Sequence, residues 1–197
     1  MKILFKPQTE WLPPEEFKDL SSYDEIAIDL ETKDTNLKTM GSGSVTGQSK
    51  IVGIALAVEG WSAYYPIAHE GGGNMDKKKV MDYFRTILNY PSKKIFHNAM
   101  YDVCFIRAEG LKINGTIVDT MIAGSLVDEN RFRYDLGSMG RDYVGRGKKE
   151  AVLLETAKEW GIDPKSEMYK LPAMYVGEYA EQDAKLTLEL WQEMKKE

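Results

Sequence analysis

The sequence predicts an α/β fold, a mixed five-stranded sheet flanked by helices, on three observations. Three β-branched or aromatic segments come first, at about residues 24–32, 51–58 and 61–67. A Gly/Ser-rich loop and the Glu59-Gly60 turn signal separate them, so they read as an antiparallel meander. Two shorter strand-like segments, Lys93–His97 and Thr116–Asp119, then alternate with helical patterns, which makes the sheet mixed and covers it with helices. From Tyr134 onward the pattern is mostly helical, interrupted by Gly145-Arg146-Gly147, Gly161 and Pro172.

In chain order, residues 1–23 read as an N-terminal arm, with a Pro13-Pro14 break and a short helix around Glu15-Glu16-Phe17. Residues 33–50, rich in Gly, Ser, Thr and Lys, mark a mobile loop. The Gly71-Gly72-Gly73 triplet leads to Asp76, an N-cap for a helix to about Leu88, with Ile87 and Leu88 inward and Lys77, Lys78 and Lys79 at its solvated start. A helix from about Tyr101 to Glu109 is ended by Gly110. Another follows the last strand through about Val127, and no internal repeat interrupts the pattern.

Composition bounds the function. A chain of 197 residues, 43% hydrophobic and 29% charged, suits one sizeable domain spanning 1–197. No apolar run approaches the roughly 18 residues of a membrane span, and the N-terminus lacks the apolar core of a signal peptide. A single cysteine, Cys104, excludes an internal disulfide, and its apolar setting predicts a buried thiol in a reducing compartment. Two histidines and one cysteine leave no ligand set for structural zinc. The net charge of −5 argues against a protein that coats nucleic acid, but not against one that grips a short end of it.

The chemistry lies in the carboxylates. In Ile26-Ala27-Ile28-Asp29-Leu30-Glu31-Thr32 two acids stand two positions apart, so on a strand they share a face. Such a pair repels unless a cation lies between, and hard divalent ions take carboxylate oxygens; a solvated strand end is the alternative. In His97-Asn98-Ala99-Met100-Tyr101-Asp102 a strand ends and Asp102 enters the first turn of a helix. The helix dipole favours an acid there, and the same placement aims it across the sheet toward Asp29. In Tyr179-Ala180-Glu181-Gln182-Asp183 the tyrosine and the last acid are four apart on a late helix and project together.

The ordered set, Asp-x-Glu on a strand, Asp at a strand-to-helix junction and Tyr-x-x-x-Asp on a late helix, resembles the DEDDy branch of the DnaQ-like 3′–5′ exonucleases. The proofreading domain of phage-type family A DNA polymerases is the nearest likeness. Ile28-Asp29-Leu30-Glu31-Thr32, the Ile51–Ala57 run, His97-Asn98-Ala99 and Val118-Asp119-Thr120 all fit that pattern. The resemblance implies a ribonuclease-H-like fold and two divalent cations, Mg²⁺ or Mn²⁺, about 3.5–4 Å apart. It implies that Asp29 bridges both ions, that Glu31 and Asp183 hold the one beside the attacking water, and that Asp102 supports the other through water. Tyr179 orients that water, since a phenol with pKa about 10 is a poor base at neutral pH. Leu30 and Thr32 are placed for the 3′-terminal nucleotide, and Asn98 for the substrate backbone.

The implied partners are a single-stranded or frayed DNA 3′ end and a DNA polymerase domain or subunit, in an intracellular, cytoplasmic setting that includes phage-encoded proteins, with no membrane. Both an excised domain and a free-standing exonuclease are compatible with the sequence. Two other functions compete: an RNase-D-like RNA exonuclease, and a non-catalytic nucleic-acid-binding module, which the presence of all four acids and the tyrosine disfavours. His97 reads as a hydrogen-bonded structural residue, and Asp119 as a helix cap or a support for the site. Arg131, Arg133, Arg141, Arg146, Lys148 and Lys149 either track phosphates or form a solvated face. Trp61, Tyr64 and Tyr65 read as strand core.

Overall fold

The computed structural model describes residues 9–197; residues 1–8 of the expected arm lie outside them. The element order is β1 (Glu25–Lys33), α1 (Leu37–Met40), β2 (Lys50–Val58), β3 (Trp61–Pro66), α2 (Lys77–Asn89), β4 (Lys93–Phe96), α3 (Ala99–Ala108), β5 (Ile117–Asp119), α4 (Thr120–Val127), α5 (Leu136–Met139), α6 (Ala151–Trp160) and α7 (Gly177–Met194). A π-helical turn extends α5 through Gly140–Val144. The strands form one sheet in the order β3-β2-β1-β4-β5. β1 pairs antiparallel with β2 and parallel with β4, so the sheet is mixed, as expected, and β1 lies at its centre.

Period-two alternation assigns the faces of β1. Ile26, Ile28 and Leu30 point into one apolar layer with Val80, Phe84, Ile87 and Leu88 of α2 and Phe105 and Ile106 of α3. Ala27 points the other way, with Ala55, Ala57 and Tyr64, beneath Ala180, Ala184 and Leu188 of α7 and Val176 just before it. Alanines on both sides of this second layer let the helix lie close to the sheet. Asp29 and Glu31 continue the Ala27 row, so they emerge under α7. Glu25, at the start of β1, accepts hydrogen bonds from Trp191 Nε1 (3.0 Å) and Gln192 Nε2 (2.7 Å), tying the end of α7 to the same strand.

Gly53 pairs with Glu31, next to a register shift between Glu31 and Thr32. A Cβ at Gly53 would fall 2.1 Å from the Tyr64 hydroxyl and 2.3–2.4 Å from its ring. Tyr64 is fully buried and cannot give way. Gly53→Ala is therefore expected to cost about 1–3 kcal/mol by overpacking; an unchanged denaturation midpoint would contradict this packing.

The Tyr64 hydroxyl lies 2.7 Å from His69 Nε2, and His69 Nδ1 lies 2.9 Å from the Leu171 carbonyl. A carbonyl can only accept, so Nδ1 carries the proton and Nε2 accepts from the tyrosine. Burial pushes His69 down to about 4, and His97 likewise. A base held below its unfolded pKa of about 6.5 contributes stability that is complete above that value and fades as pH falls toward 4. The slope of stability against pH between 6.5 and 4 should therefore be smaller in His69→Gln than in the wild type by one proton. Equal slopes in the two proteins would contradict a neutral buried His69.

Several local expectations need adjustment. Glu15-Glu16-Phe17 forms no helix: residues 15 and 16 make only a bend. The arm is instead held extended by its aromatics. Phe17 stacks on Tyr65 at 5.6 Å between centroids and tilts against Tyr83 at 4.9 Å. Trp11 lies over Gly177, where a Cβ would come within 2.0 Å of the indole, and its Nε1 donates to Glu181 at 2.8 Å. The loop at 33–50 contains the single turn α1 and is pinned at its base by the buried Asp34, which accepts from Gly43 N (3.2 Å) and Ser49 Oγ (2.8 Å). Cys104 is half-buried rather than buried. The cap at Asp76 is as expected, with its carboxylate accepting from Lys79 N at 2.9 Å. Tyr64 and Tyr65 are core, whereas Trp61 is half-buried. Among the described residues no helix is long and apolar enough to cross a membrane.

Candidate active site

Three elements deliver the acids. β1 presents Asp29 and Glu31, both half-buried, toward α7. α7 presents Asp183, only 2% exposed, and the half-buried Tyr179 one turn earlier. α3 brings Asp102, 4% exposed, whose Oδ1 accepts from Leu30 N at 3.0 Å. That bond fixes the first turn of α3 to the strand backbone between the two β1 acids, and Asp102 is thereby held beside them.

The junction before α3 is unusual. Asn98 is left-handed, at φ 66° and ψ 55°, and is the non-glycine residue with positive φ among the described residues. Asparagine adopts that region more readily than most residues, and local strain concentrates at functional sites. Asp119 holds the turn: its carboxylate accepts from Asn98 N (3.0 Å) and Ala99 N (2.8 Å) while also capping α4 through Met121 N (2.9 Å). It therefore caps one helix and braces the start of the helix that carries Asp102. His97 is structural, with Nδ1 2.9 Å from Thr120 Oγ1.

The acids act on one another. Burial first, then the charge of Asp183, pushes Asp29 up to about 7 against the opposing pull of Lys148. Burial and the charge of Asp29 hold Glu31 and Asp102 well above the usual carboxylate range. Asp183 is raised by burial, with Lys148 opposing. The same burial and the surrounding carboxylates lift the Tyr179 phenol well above its ordinary value. Such a cluster stores repulsion that a cation relieves.

Lys148 is the residue that sequence reasoning did not assign to the site. Its Nζ lies 2.5 Å from Asp183 Oδ2 and 3.1 Å from the Tyr179 hydroxyl, and 5.1 Å from the centroid of the Tyr179 ring. The other expected basic groups are occupied elsewhere or solvated. Arg131 pairs with Asp142 at 2.6 Å, Arg146 with Glu189 at 2.5 Å and Lys149 with Glu178 at 3.4 Å. Arg133 and Arg141 are exposed.

The residues present fit a hard divalent ion. The donors are all oxygens, and Asp183 Oδ1 is buried without a hydrogen-bond partner, which marks an acceptor waiting for a cation. Among the described residues no three acidic, histidine or cysteine side chains close into a compact cage.

The expected substrate residues differ in setting. Leu30 has 6% exposure and its side chain belongs to the apolar layer under α2 and α3. Thr32 Oγ1 lies 2.7 Å from the Tyr101 hydroxyl, which also donates to Asp34 at 3.3 Å. Asn98 is exposed at the start of α3.

Comparison with known proteins gives the family and the fold. The family model described as 3′-5′ exonuclease matches residues 6–197. The DNA-directed DNA polymerase of Pseudomonas phage M6 is 34% identical over 197 residues, covering 96% of this chain and 30% of that polymerase. The chain thus spans under a third of that relative. Among solved structures, Brucella melitensis NrnC with bound Mg²⁺ superposes with a TM-score of 0.58 at 16% identity, covering 90% of this chain and 77% of that one. Trypanosoma brucei RNase D superposes with a TM-score of 0.63 at 18% identity, covering 88% and 58%. At these identities the two structures speak for a ribonuclease-H-like exonuclease fold, as the sequence predicted. The chain belongs to the 3′–5′ exonuclease family, and is a nuclease of the kind carried by DNA polymerases.

Proposed function

We propose that this domain, residues 1–197, hydrolyses the terminal phosphodiester at the 3′ end of DNA and releases 5′-mononucleotides at a centre of two divalent ions, Mg²⁺ or Mn²⁺. Its intracellular role is proofreading for a DNA polymerase, as part of the same chain or as a separate subunit. One observation carries the reading: the carboxylates of Asp29 and Glu31 on β1, Asp102 on α3 and Asp183 on α7 stand close enough for their charges to act on one another, with the Lys148 ammonium on Asp183.

Asp29, Glu31, Asp102 and Asp183 would hold the ions, with Asp29 shared by both. When bound, the ions supply a water of lowered pKa and stabilise charge on the departing 3′-oxygen. The phenol of Tyr179, raised by its buried setting, stays protonated and orients the attacking water through its hydroxyl. Asp102, fixed to Leu30 N, keeps α3 in register with β1. Asn98 stands exposed at the same end of the sheet, where it meets the substrate backbone. Thr32, hydrogen-bonded to Tyr101, lies next to the acids beside the terminal sugar, whereas Leu30, its side chain packed under α2 and α3, serves the site by donating its N–H to Asp102.

Matched single-stranded DNA and RNA, both 5′-labelled, separate the substrates. The expected result is faster shortening of the DNA; faster loss of the RNA would assign the domain to RNA processing.

A further inference from the structure

Lys148 has a setting that the acids alone do not require. The segment Gly145–Lys149 crosses α7 and is fastened to it at three places, Arg146 on Glu189, Lys148 on Asp183 and Lys149 on Glu178. The outer two pairs are partly solvated, whereas Asp183 is 3% exposed at the side chain and Lys148 24%. The close approach is built into the backbone. Gly140 packs so tightly that a Cβ would lie 2.7 Å from the Arg146 carbonyl and 2.8 Å from Leu186. Lys148 and Tyr179 also line a cavity of about 270 Å³ between the starts of α6 and α7, together with Lys149 and Glu178. The ammonium therefore stands between the carboxylate cluster and an open space on its outer side.

An ammonium on Asp183 Oδ2 and a divalent ion on the same carboxylate neutralise the same charge and repel each other at this short range, so each weakens the hold of the other. We propose that Lys148 is an exchangeable counter-ion of the site: its ammonium neutralises Asp183 in the metal-free protein, divalent-ion binding displaces it, and the freed ammonium takes a phosphate of the bound strand. The inference rests on the metal-dependent nuclease reading and adds a positioning role for a residue outside the acid set. The ammonium also helps Asp29, Glu31 and Asp183 coexist without metal, since Lys148 opposes the rise of each of them.

The test compares wild type with Lys148→Met, and with Lys148→Gln in case the apolar variant does not fold. Mn²⁺ affinity without DNA is read by electron paramagnetic resonance, and melting is followed in chelator. The exchange predicts opposite movements: the variants melt lower in chelator, yet bind Mn²⁺ about tenfold tighter because the competitor is gone. A merely structural lysine would lower the melting temperature and weaken or leave unchanged the metal affinity. At saturating Mn²⁺, with phosphorothioate linkages at the 3′ end of the oligonucleotide to prevent cleavage, the phosphate contact is read from the salt dependence of oligonucleotide binding. Loss of one contact to a single strand should reduce the log–log slope by about 0.7. Wild type that binds and cleaves with Mn²⁺ while the variants bind it no tighter would overturn this inference alone. An unchanged salt slope would overturn the phosphate step, and a wild type that binds no Mn²⁺ would overturn both this inference and the nuclease reading.

Discussion

Replacing Asp29 with asparagine is expected to abolish 3′–5′ hydrolysis, by at least ~10³-fold in kcat, while raising the melting temperature of the metal-free protein. The first effect follows from position. Asp29 lies on the central strand, under α7 and beside the strand residue whose N–H holds Asp102, which puts it in the midst of the proposed ion ligands. Loss of the several kcal/mol that bound ions supply to the transition state corresponds to about three decades or more in rate. The second effect follows from the sign of its titration. An acid whose folded value stands at about 7, against an unfolded value of about 3.9, binds its proton more tightly when folded. Its stabilising contribution is therefore present at low pH and is lost as pH rises through about 7. At pH 8 in chelator the ionised carboxylate opposes folding, and an amide of the same shape removes that opposition. With Mg²⁺ the order reverses, because the wild type gains stability by mass action and the variant gains little. A purely structural acid would show the opposite pattern, with a lower melting temperature in chelator and near-normal activity.

Tyr179→Phe is expected to lower kcat by about 10²-fold with little change in oligonucleotide affinity. The ring stays, so its packing against α7's neighbours and Lys148 survives, and only the hydroxyl is lost. Positioned groups that handle a proton in the transition state contribute typically 10²–10⁴-fold, and the lower end suits a hydroxyl that orients rather than abstracts. Burial and the adjacent carboxylates hold this phenol well above its ordinary value. The pH–rate profile of the wild type should accordingly contain no limb from tyrosine ionisation near neutrality. A loss of affinity equal to the loss in kcat/KM would place Tyr179 in substrate binding instead.

Most of the fold could be read from local pattern because its centre obeys simple periodicities. Ile26, Ile28 and Leu30 alternate with Ala27, Asp29 and Glu31, and the two sets face different apolar layers. Asp76 and Gly110 punctuate helices through capping and left-handed geometry that depend on neighbouring residues alone. The acids of the site were visible for the same reason: each occupies a position that a strand, a helix start or a helical repeat defines. Lys148 was not, because its partner Asp183 is 35 residues later and Gly-Arg-Gly-Lys-Lys looks the same whether it is solvated or folded onto a helix. The arm failed for a related reason. Glu15-Glu16-Phe17 has local features of a helix start, but the stacking of Phe17 on Tyr65 and the seating of Trp11 on Gly177 are long-range contacts that hold the chain extended. The double duty of Asp119, bracing α3 and capping α4, likewise emerges only when β4 and β5 lie side by side.

The central claim is that the four clustered carboxylates make a metal-dependent nuclease acting from the 3′ end. The most direct measurement is to incubate the protein with 5′-labelled single-stranded DNA in Mg²⁺ and in chelator, beside Asp29→Asn, and to resolve the products at single-nucleotide steps. The account predicts a ladder that shortens from the 3′ end in Mg²⁺ and is absent in chelator and in the variant. Degradation that persists in chelator, or an intact oligonucleotide in both Mg²⁺ and Mn²⁺, would contradict it.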